Sequence, residues 1–378
     1  MSWIRPIPLA DPPDMASSCL PRPDIGEPAP WFIARCGEIA QFHLSSLGGR
    51  HVVLLFPGQD RGVAAAAIDQ LATWALAVPE RHCVGFSVVM PVDAAAARAT
   101  WPRLRFFQEF GDLEIARLYG IGAGGGWVVL DTMLRVLMRG PLSDGAAILA
   151  RVKALPPAGL CGPPDMPAPV LTLPGVFEPA FCRLLIDLYQ ANGGQDSGYM
   201  RDQDGKTVGV IDHGFKRRRD MLITDPTVMM EARTRIEQRL LPMLTRALQF
   251  RATRLERYIV ACYDAADQGF FRAHRDNTTR GTAHRRFAVT INLNADEYQG
   301  GDLCFPEFGP RTYRAPTGGA IAFSCSLLHE AQPVTSGVRY AFLPFLYDEE
   351  GARLRAANLA FLADPRNGGQ EANNQRTS

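Results

Sequence analysis

Between residues 51 and 155 short continuous apolar runs alternate with longer stretches whose apolar positions recur at helical spacing. His51-Val-Val-Leu-Leu-Phe56 and Cys83-Val-Gly-Phe-Ser-Val-Val-Met90 have strand length and little polar character, the pattern of strands covered on both faces. The alanine-rich Val63–Val78 predicts an amphipathic helix, and shorter helices are expected at Ala94–Thr100, Leu113–Tyr119 and Asp144–Leu155. Trp127–Asp131 and Leu134–Arg139 read as two further strands. Strands alternating with helices predict an α/β fold around a largely parallel sheet, closed here by an antiparallel pair.

From Pro156 to Pro169 six prolines fall in fourteen residues, which excludes a helix and favours an extended spacer. Beyond it the order changes. Glu178-Pro179 starts a helix reaching Tyr189, with proline at an early helical position. Gly193–Asp212 is polar and glycine-containing, so a mobile loop is expected. Thr224 or Asp225 caps a long helix from Pro226 to about Phe250, with a break near Pro242. Short strand-like runs then follow as far as Tyr347, and helices followed by strands predict an α+β fold. The expected organisation is an irregular segment over 1–24, an α/β domain over 25–155, a linker over 156–169, an α+β domain over 170–350, and a helix with a polar tail over 351–378.

Composition narrows the function. A formal charge of +1, from 40 basic and 39 acidic residues, gives no general attraction to nucleic acid or to acidic membranes. No apolar run approaches the roughly 18 residues of a membrane span, and the N-terminus lacks the pattern of a secretory signal. The eight cysteines show neither C-x-x-C nor zinc-ribbon spacing, so reduced thiols and a cytoplasmic location are expected.

The candidate chemistry lies between Phe271 and Arg339. A mononuclear iron(II) that activates oxygen needs two imidazoles and one carboxylate on one face. His274 and Asp276, one residue apart, would share a face of a strand. His329 follows the apolar run Gly319–Leu328, expected to be one buried strand, and would supply the third ligand. Arg339, in the strand-like Val338–Tyr347, can hold a carboxylate through two parallel hydrogen bonds. Zinc in a cupin-like barrel would accept the same three ligands but would not require Arg339.

These residues stand in a block that resembles the prolyl 4-hydroxylase branch of the iron(II)/2-oxoglutarate dioxygenases. The resemblance is carried by Tyr263, His274-Arg-Asp276-Asn277, Phe287–Asn294, Gly300-Gly301-Asp302-Leu-Cys-Phe305-Pro306, Pro316–Phe323, His329-Glu330, Pro333–Gly337 and Arg339. It implies a double-stranded β-helix, or jelly roll, in the second domain. His274, Asp276 and His329 would bind Fe(II), Arg339 the distal carboxylate of 2-oxoglutarate, and Tyr263 and Thr290 would line that pocket. Where the prolyl hydroxylases usually carry lysine this chain has Arg339, and its loop from Tyr263 to His274 is longer. Also implied are O2, ascorbate as reductant, and hydroxylation of an unactivated C–H bond in a peptidyl, amino-acid or natural-product substrate, yielding succinate and CO2. Asp276 favours hydroxylation over halogenation, since the halogenating relatives lack that carboxylate.

Residues 24–155, with Gly26-Glu-Pro28-Ala-Pro30-Trp-Phe32 in front and Ile115–Ile121 before the closing hairpin, resemble the peroxiredoxin class of thioredoxin-like domains. The Pro-x-x-x-Thr-x-x-Cys loop of that class is absent: Phe56-Pro57-Gly58-Gln59-Asp60 stands there. An inactive redoxin scaffold is expected, serving to recruit substrate or to pair two subunits. The competing readings are a thiol peroxidase using Cys36 and a non-catalytic binding module. Gly120–Gly126 follows a helix and precedes a strand, so it reads as a flexible loop rather than a nucleotide-binding turn. Lys216-Arg-Arg-Arg219 reads first as a solvated face and second as a source of one or two arginines facing the iron pocket to hold an acidic or phosphorylated substrate, with nucleic-acid binding the weakest option. His284 is expected on a surface loop, and His213 near the pocket mouth.

Overall fold

The computed structural model describes residues 22–78, 84–91, 103–109, 114–156 and 167–362. Its contacts divide the chain into one unit ending at Ala158 and another beginning at Gly159. The expected helix at Ala94–Thr100, Cys83 and most of the proline-rich spacer lie outside the described residues.

In the first unit seven strands form one sheet: β1 (Ile33–Cys36), β2 (Ile39–His43), β3 (His51–Phe56), β4 (Val84–Pro91), β5 (Leu104–Glu109), β6 (Gly126–Leu130) and β7 (Val136–Gly140). They lie in the order β2-β1-β5-β4-β3-β6-β7, with β3, β4 and β5 parallel and the remaining pairs antiparallel. The hairpin β1–β2 and strand β5 have no counterpart in the sequence reading, because Arg35, Gln41, Arg105 and Gln108 interrupt their apolar character. Every residue of β3 is buried, since both faces are covered. Val53 and Leu55 pack with Ile68 and Leu71 of α1 (Arg61–Ala77) and with Leu149 of α3 (Gly145–Ala154), which follows a short α2 (Glu114–Leu118). Val52, Leu54 and Phe56 face Phe32, Phe107 and Tyr119.

Asp60 occupies the N-cap of α1, its carboxylate accepting from the amides of Gly62 and Val63 at 2.9 and 3.0 Å. The glycine loop before β6 packs backbone to backbone against the same corner: a Cβ at Gly125 would come within 2.4 Å of the Phe56 carbonyl oxygen. Cys36 sits on β1, where burial pushes its thiol above the ordinary range against the pull of Arg105, so it is poorly suited to form a nucleophilic thiolate.

The second unit is built on two sheets. One, of five strands, has the order β12-β16-β22-β19-β20, from Lys216–Arg217, Phe270–His274, His329–Ala331, Leu303–Cys304 and Thr312–Tyr313. The larger has a main path β14-β24-β17-β23-β15-β13-β9, in which β14 is Arg254–Glu256, β13 Arg219–Leu222 and β9 Gln195–Asp196, with β21 (Ala320–Ser324) paired to β17 and β8 (Leu171–Leu173) paired to β21. Its central members are β15 (Ile259–Asp264), β17 (Phe287–Asn292), β23 (Val334–Phe342) and β24 (Phe345–Tyr347). Alternation along these strands assigns the two faces. Val260, Cys262, Val289, Ile291 and Phe342 pack under α4 (Pro179–Asn192), α5 (Pro226–Arg235) and α6 (Leu241–Leu248), whose Phe181, Leu185, Ala232 and Leu244 complete the core. The intervening Ala261 and Tyr263 meet Phe271, Tyr298 and Ala331 on the other face. Each fully buried large side chain here contributes about 1.5–3 kcal/mol, which anchors the strands that carry the site.

The long helix expected after Asp225 is present in two pieces. Asp225 caps it, accepting from the amides of Thr227 and Val228, and a π turn over Ile236–Leu240 separates α5 from α6. Pro242 explains the break: it brings no amide hydrogen and crowds the preceding turn. Gly193–Asp212 is not simply a loop. Tyr199–Gln203 (β10) and Lys206–Val210 (β11) pair as an antiparallel hairpin, turning at Asp204 and Gly205, both with positive φ. The last helix, α7, runs from Glu349 to Asn358. Among the described residues no helix is long and apolar enough to cross a membrane.

Candidate metal centre and anion pocket

Strands β16 and β22 pair antiparallel with His274 directly opposite His329. The two rings lie 4.3 Å apart between centroids. Nδ1 of His274 donates to the Arg272 carbonyl oxygen at 2.7 Å, and Nδ1 of His329 to that of Leu327 at 3.0 Å. Those bonds leave each Nε2 with its lone pair free, the atom a metal takes. The Asp276 carboxylate lies between them, 3.6 Å from Nε2 of His274 and 3.3 Å from Nε2 of His329. One ligand atom from each residue falls within 4.8 Å of the others, so a single ion can be held. Phe271 stacks on His274 at 3.5 Å, and Phe323 meets His329 edge-on at 4.6 Å, fixing both rings.

Two details differ from the sequence reading. β16 ends at His274, so Asp276 is not on the strand; its amide donates to the Cys325 carbonyl oxygen at 3.0 Å and the loop carries it into place. The apolar run Gly319–Leu328 is not one strand either. β21 (Ala320–Ser324) stops where the Ser324 hydroxyl accepts from the Ser326 amide, and the chain turns across to the smaller sheet, where His329 begins β22.

Burial, reinforced by the neighbouring His329, pushes His274 down to about 4. Burial opposes ionisation of Asp276, yet His329 and His274 hold its carboxyl well below the usual range. At neutral pH His274 is uncharged and Asp276 ionised, the state in which both can ligate.

Arg339 projects from β23 opposite Tyr263 of β15, its partner in register. It is 3% exposed. Its Nη2 donates to Thr290 Oγ1 on β17 at 3.2 Å, and its Cζ lies 5.0 Å from the centre of the Tyr263 ring. Nε and Nη1 have no hydrogen-bond partner. A buried guanidinium left in that state is costly, by several kcal/mol for a fully unpaired charge, so the site is built for an anion. Gly301 makes room for it: with φ +69°, a Cβ there would meet Arg339 Cδ at 3.2 Å and the Val334 side chain at 2.8 Å. The structure therefore brings Tyr263, Thr290 and Arg339 together, as it does His274, Asp276 and His329.

Several participants carried no sequence signal. Arg275, between the two ligands of the triplet, turns into the protein and forms a two-point ion pair with Glu307, at 2.8 and 3.1 Å. Arg275 also donates to the Ser326 carbonyl oxygen, while Glu307 accepts from the Leu328 amide at 3.0 Å. The pair thus ties the triplet to the turn that presents His329. Glu307→Gln would leave Arg275 buried without its counter-charge; the expected cost is about 3–5 kcal/mol of stability and a loss of about 10- to 100-fold in metal affinity. Thermal melts and anaerobic Fe(II) titration measure the two, and an unchanged affinity would show that the tether does not position the ligands.

The basic run is not a solvated face throughout. Arg217 and Arg219 are exposed, but Lys216 and Arg218 are buried, and Arg218 Nη1 donates to the Tyr263 hydroxyl at 3.3 Å. His284 is also buried, only 2% exposed rather than on a surface loop, because Glu256 receives its Nε2 at 2.7 Å. His213 is exposed and paired with Asp196 at 2.6 Å.

Residues 258–347 match the family model described as the 2OG-Fe(II) oxygenase superfamily. The chain is similar to a PKHD-type hydroxylase of Acaryochloris marina, 30% identical over 36% of this chain and 62% of that protein. A PKHD-type hydroxylase of a Synechococcus strain is 32% identical over 28% of this chain and 51% of its own length. The chain thus spans less than two thirds of these relatives. A solved prolyl-4-hydroxylase of Pseudomonas putida overlaps 47% of this chain and 92% of its own, at 16% identity and a TM-score of 0.35.

Proposed function

We propose that this chain is an Fe(II)- and 2-oxoglutarate-dependent oxygenase that hydroxylates an unactivated C–H bond, with succinate and CO2 as co-products. One observation carries the reading: two histidines and a carboxylate of single-ion spacing are joined, through the packed rings of Phe271 and Tyr263, to a buried arginine whose Nε and Nη1 are unpartnered. Zinc alone would leave that arginine unexplained, whereas the distal carboxylate of 2-oxoglutarate satisfies it. The family match over residues 258–347 supports the same assignment.

Bound Fe(II), with 2-oxoglutarate and O2, would supply the oxidising chemistry, and ascorbate would keep the metal reduced. The residues of the chain hold and exclude. Nε2 of His274, Nε2 of His329 and an oxygen of Asp276 would take the metal, each imidazole fixed in tautomer by its backbone bond. Arg339 would receive the far carboxylate in a two-point geometry, with Thr290 and the Tyr263 ring setting the guanidinium plane. Arg339, Thr290, Tyr263 and His329 are buried, and a bound co-substrate would be shielded from water there, which strengthens each electrostatic contact.

The first unit would be a redoxin scaffold of thioredoxin type without a peroxidatic thiol, since Asp60 stands at the helix N-terminus where such a cysteine belongs. A pairing of two copies through it has the edge strand β2 and the exposed Trp31, Ile33 and Ile39 in its favour.

The test is succinate formation from 2-oxoglutarate by the full chain in air with Fe(II) and ascorbate, alongside His274→Ala. Iron-dependent turnover in the parent and none in the variant is expected. Absence of turnover together with absence of the visible iron–2-oxoglutarate charge-transfer band under argon would overturn the reading.

A further inference from the structure

Near the metal centre stands a group of basic side chains that the metal ligands do not use, one of which, Arg218, touches the Arg339 pocket through the Tyr263 hydroxyl. Arg218 and Arg257 both reach the same oxygen of Asp220, at 2.7 and 3.5 Å. Lys216, two residues from Arg218, is held by the Ser197 hydroxyl at 2.8 Å and the Gly198 carbonyl at 2.6 Å. Two guanidinium groups thus share one acid, while burial pushes the Lys216 amine beside them down to about 6; Arg218 Nε has no partner although its side chain is only 5% exposed. Burying this excess is unfavourable unless a further negative group joins it.

The group borders the metal centre. Lys216 Nζ lies 4.7 Å from the centre of the Phe271 ring, on which His274 stacks. Arg218 Cζ lies 5.9 Å from the centre of the same ring. Arg257 is the member placed to receive a ligand. It leans over Phe345, with Cζ 5.2 Å from the ring centre, and holds a left-handed backbone at φ +69° that a non-glycine residue rarely adopts. Its side chain keeps 30% of its surface accessible and has only the long contact to Asp220. Arg285, on the same Phe345 ring, is already engaged by Glu256 at 2.7 Å.

Resting on the oxygenase reading, we propose that the substrate oxidised at this centre carries an oxyanion, a carboxylate or a phosphate, docked by Arg257. Its positive counterpart is separate from Arg339, so co-substrate and substrate would each have their own cationic anchor. An anion held by Arg257 would also complete the charge balance that Asp220 alone leaves open.

The test uses the full chain carrying Mn(II) in place of iron and saturated with 2-oxoglutarate, titrated with inorganic phosphate while phosphorus NMR relaxation is read. A saturable paramagnetic enhancement that excess 2-oxoglutarate does not remove is expected. Arg257→Gln should weaken it by about 10- to 100-fold, the size of one charge-assisted contact, and Arg257→Lys should restore part. Displacement of phosphate by N-acetylglutamate or by O-phosphoserine, whichever is stronger, tells carboxylate from phosphate, and either supports the proposal. Equal displacement by neutral N-acetylprolinamide, no saturable enhancement, or an unaffected Arg257→Gln would overturn it. Mn(II) and 2-oxoglutarate binding are read in the same sample by water proton relaxation. Failure at that step would count against the oxygenase reading rather than the anion site.

Discussion

Arg339→Leu is expected to raise the 2-oxoglutarate concentration for half-maximal turnover by about 10²- to 10⁴-fold. The two guanidinium nitrogens without partners can make two charge-assisted hydrogen bonds, each worth about 1.5–3 kcal/mol, and a loss of about 1.4 kcal/mol is tenfold. Arg339→Lys keeps the charge and loses the fork, so its loss should be smaller, on the order of tenfold. The ligand-free proteins should behave in the opposite way. Leucine removes a buried cation that lacks a full set of partners, so the melting temperature of Arg339→Leu should not fall. Steady-state kinetics against 2-oxoglutarate and thermal melts without it measure the two effects. A variant that is destabilised yet binds the co-substrate normally would make Arg339 a structural residue.

His329→Ala should abolish iron-dependent turnover and lower metal affinity by several kcal/mol, on the order of a thousandfold or more. The remaining His274 and Asp276 are joined through one short segment and offer the ion only one side of its coordination. The fold should persist, because β22 keeps its pairing with β16 and β19. Anaerobic metal titration, with circular dichroism as the control, decides it. Metal binding equal to that of the parent would mean that the third ligand lies elsewhere.

What the sequence made legible follows from chemistry that is local or periodic. The buried strands His51–Phe56 and Trp127–Asp131 could be read because both faces are covered and apolar character runs unbroken. His274, Asp276, His329 and Arg339 could be singled out by residue type and order, although the routes that deliver Asp276 and His329 could not. Those routes depend on a carbonyl at Cys325 and a hydroxyl at Ser324, which pattern does not distinguish from any other backbone or serine. The hairpin Tyr199–Val210 was hidden because its strands are polar and partly exposed, with Asp204-Gly205 the one turn cue. Lys216, Arg218 and His284 were misjudged for a common reason: a charged or polar side chain is buried when its partner is in place, and Ser197, Asp220 and Glu256 are distant in sequence or unremarkable on their own.

The ion pair between Arg275 and Glu307 has a consequence for anyone wishing to move this centre into another scaffold. The middle position of the triplet is no free spacer, since its side chain joins the strand end that carries His274 to the turn that presents His329. A graft of the three ligands alone would import a guanidinium with no counter-ion, or, with alanine there, leave the second histidine untethered. The portable module is the end of β16, Glu307 and the turn at 326–328, transferred together.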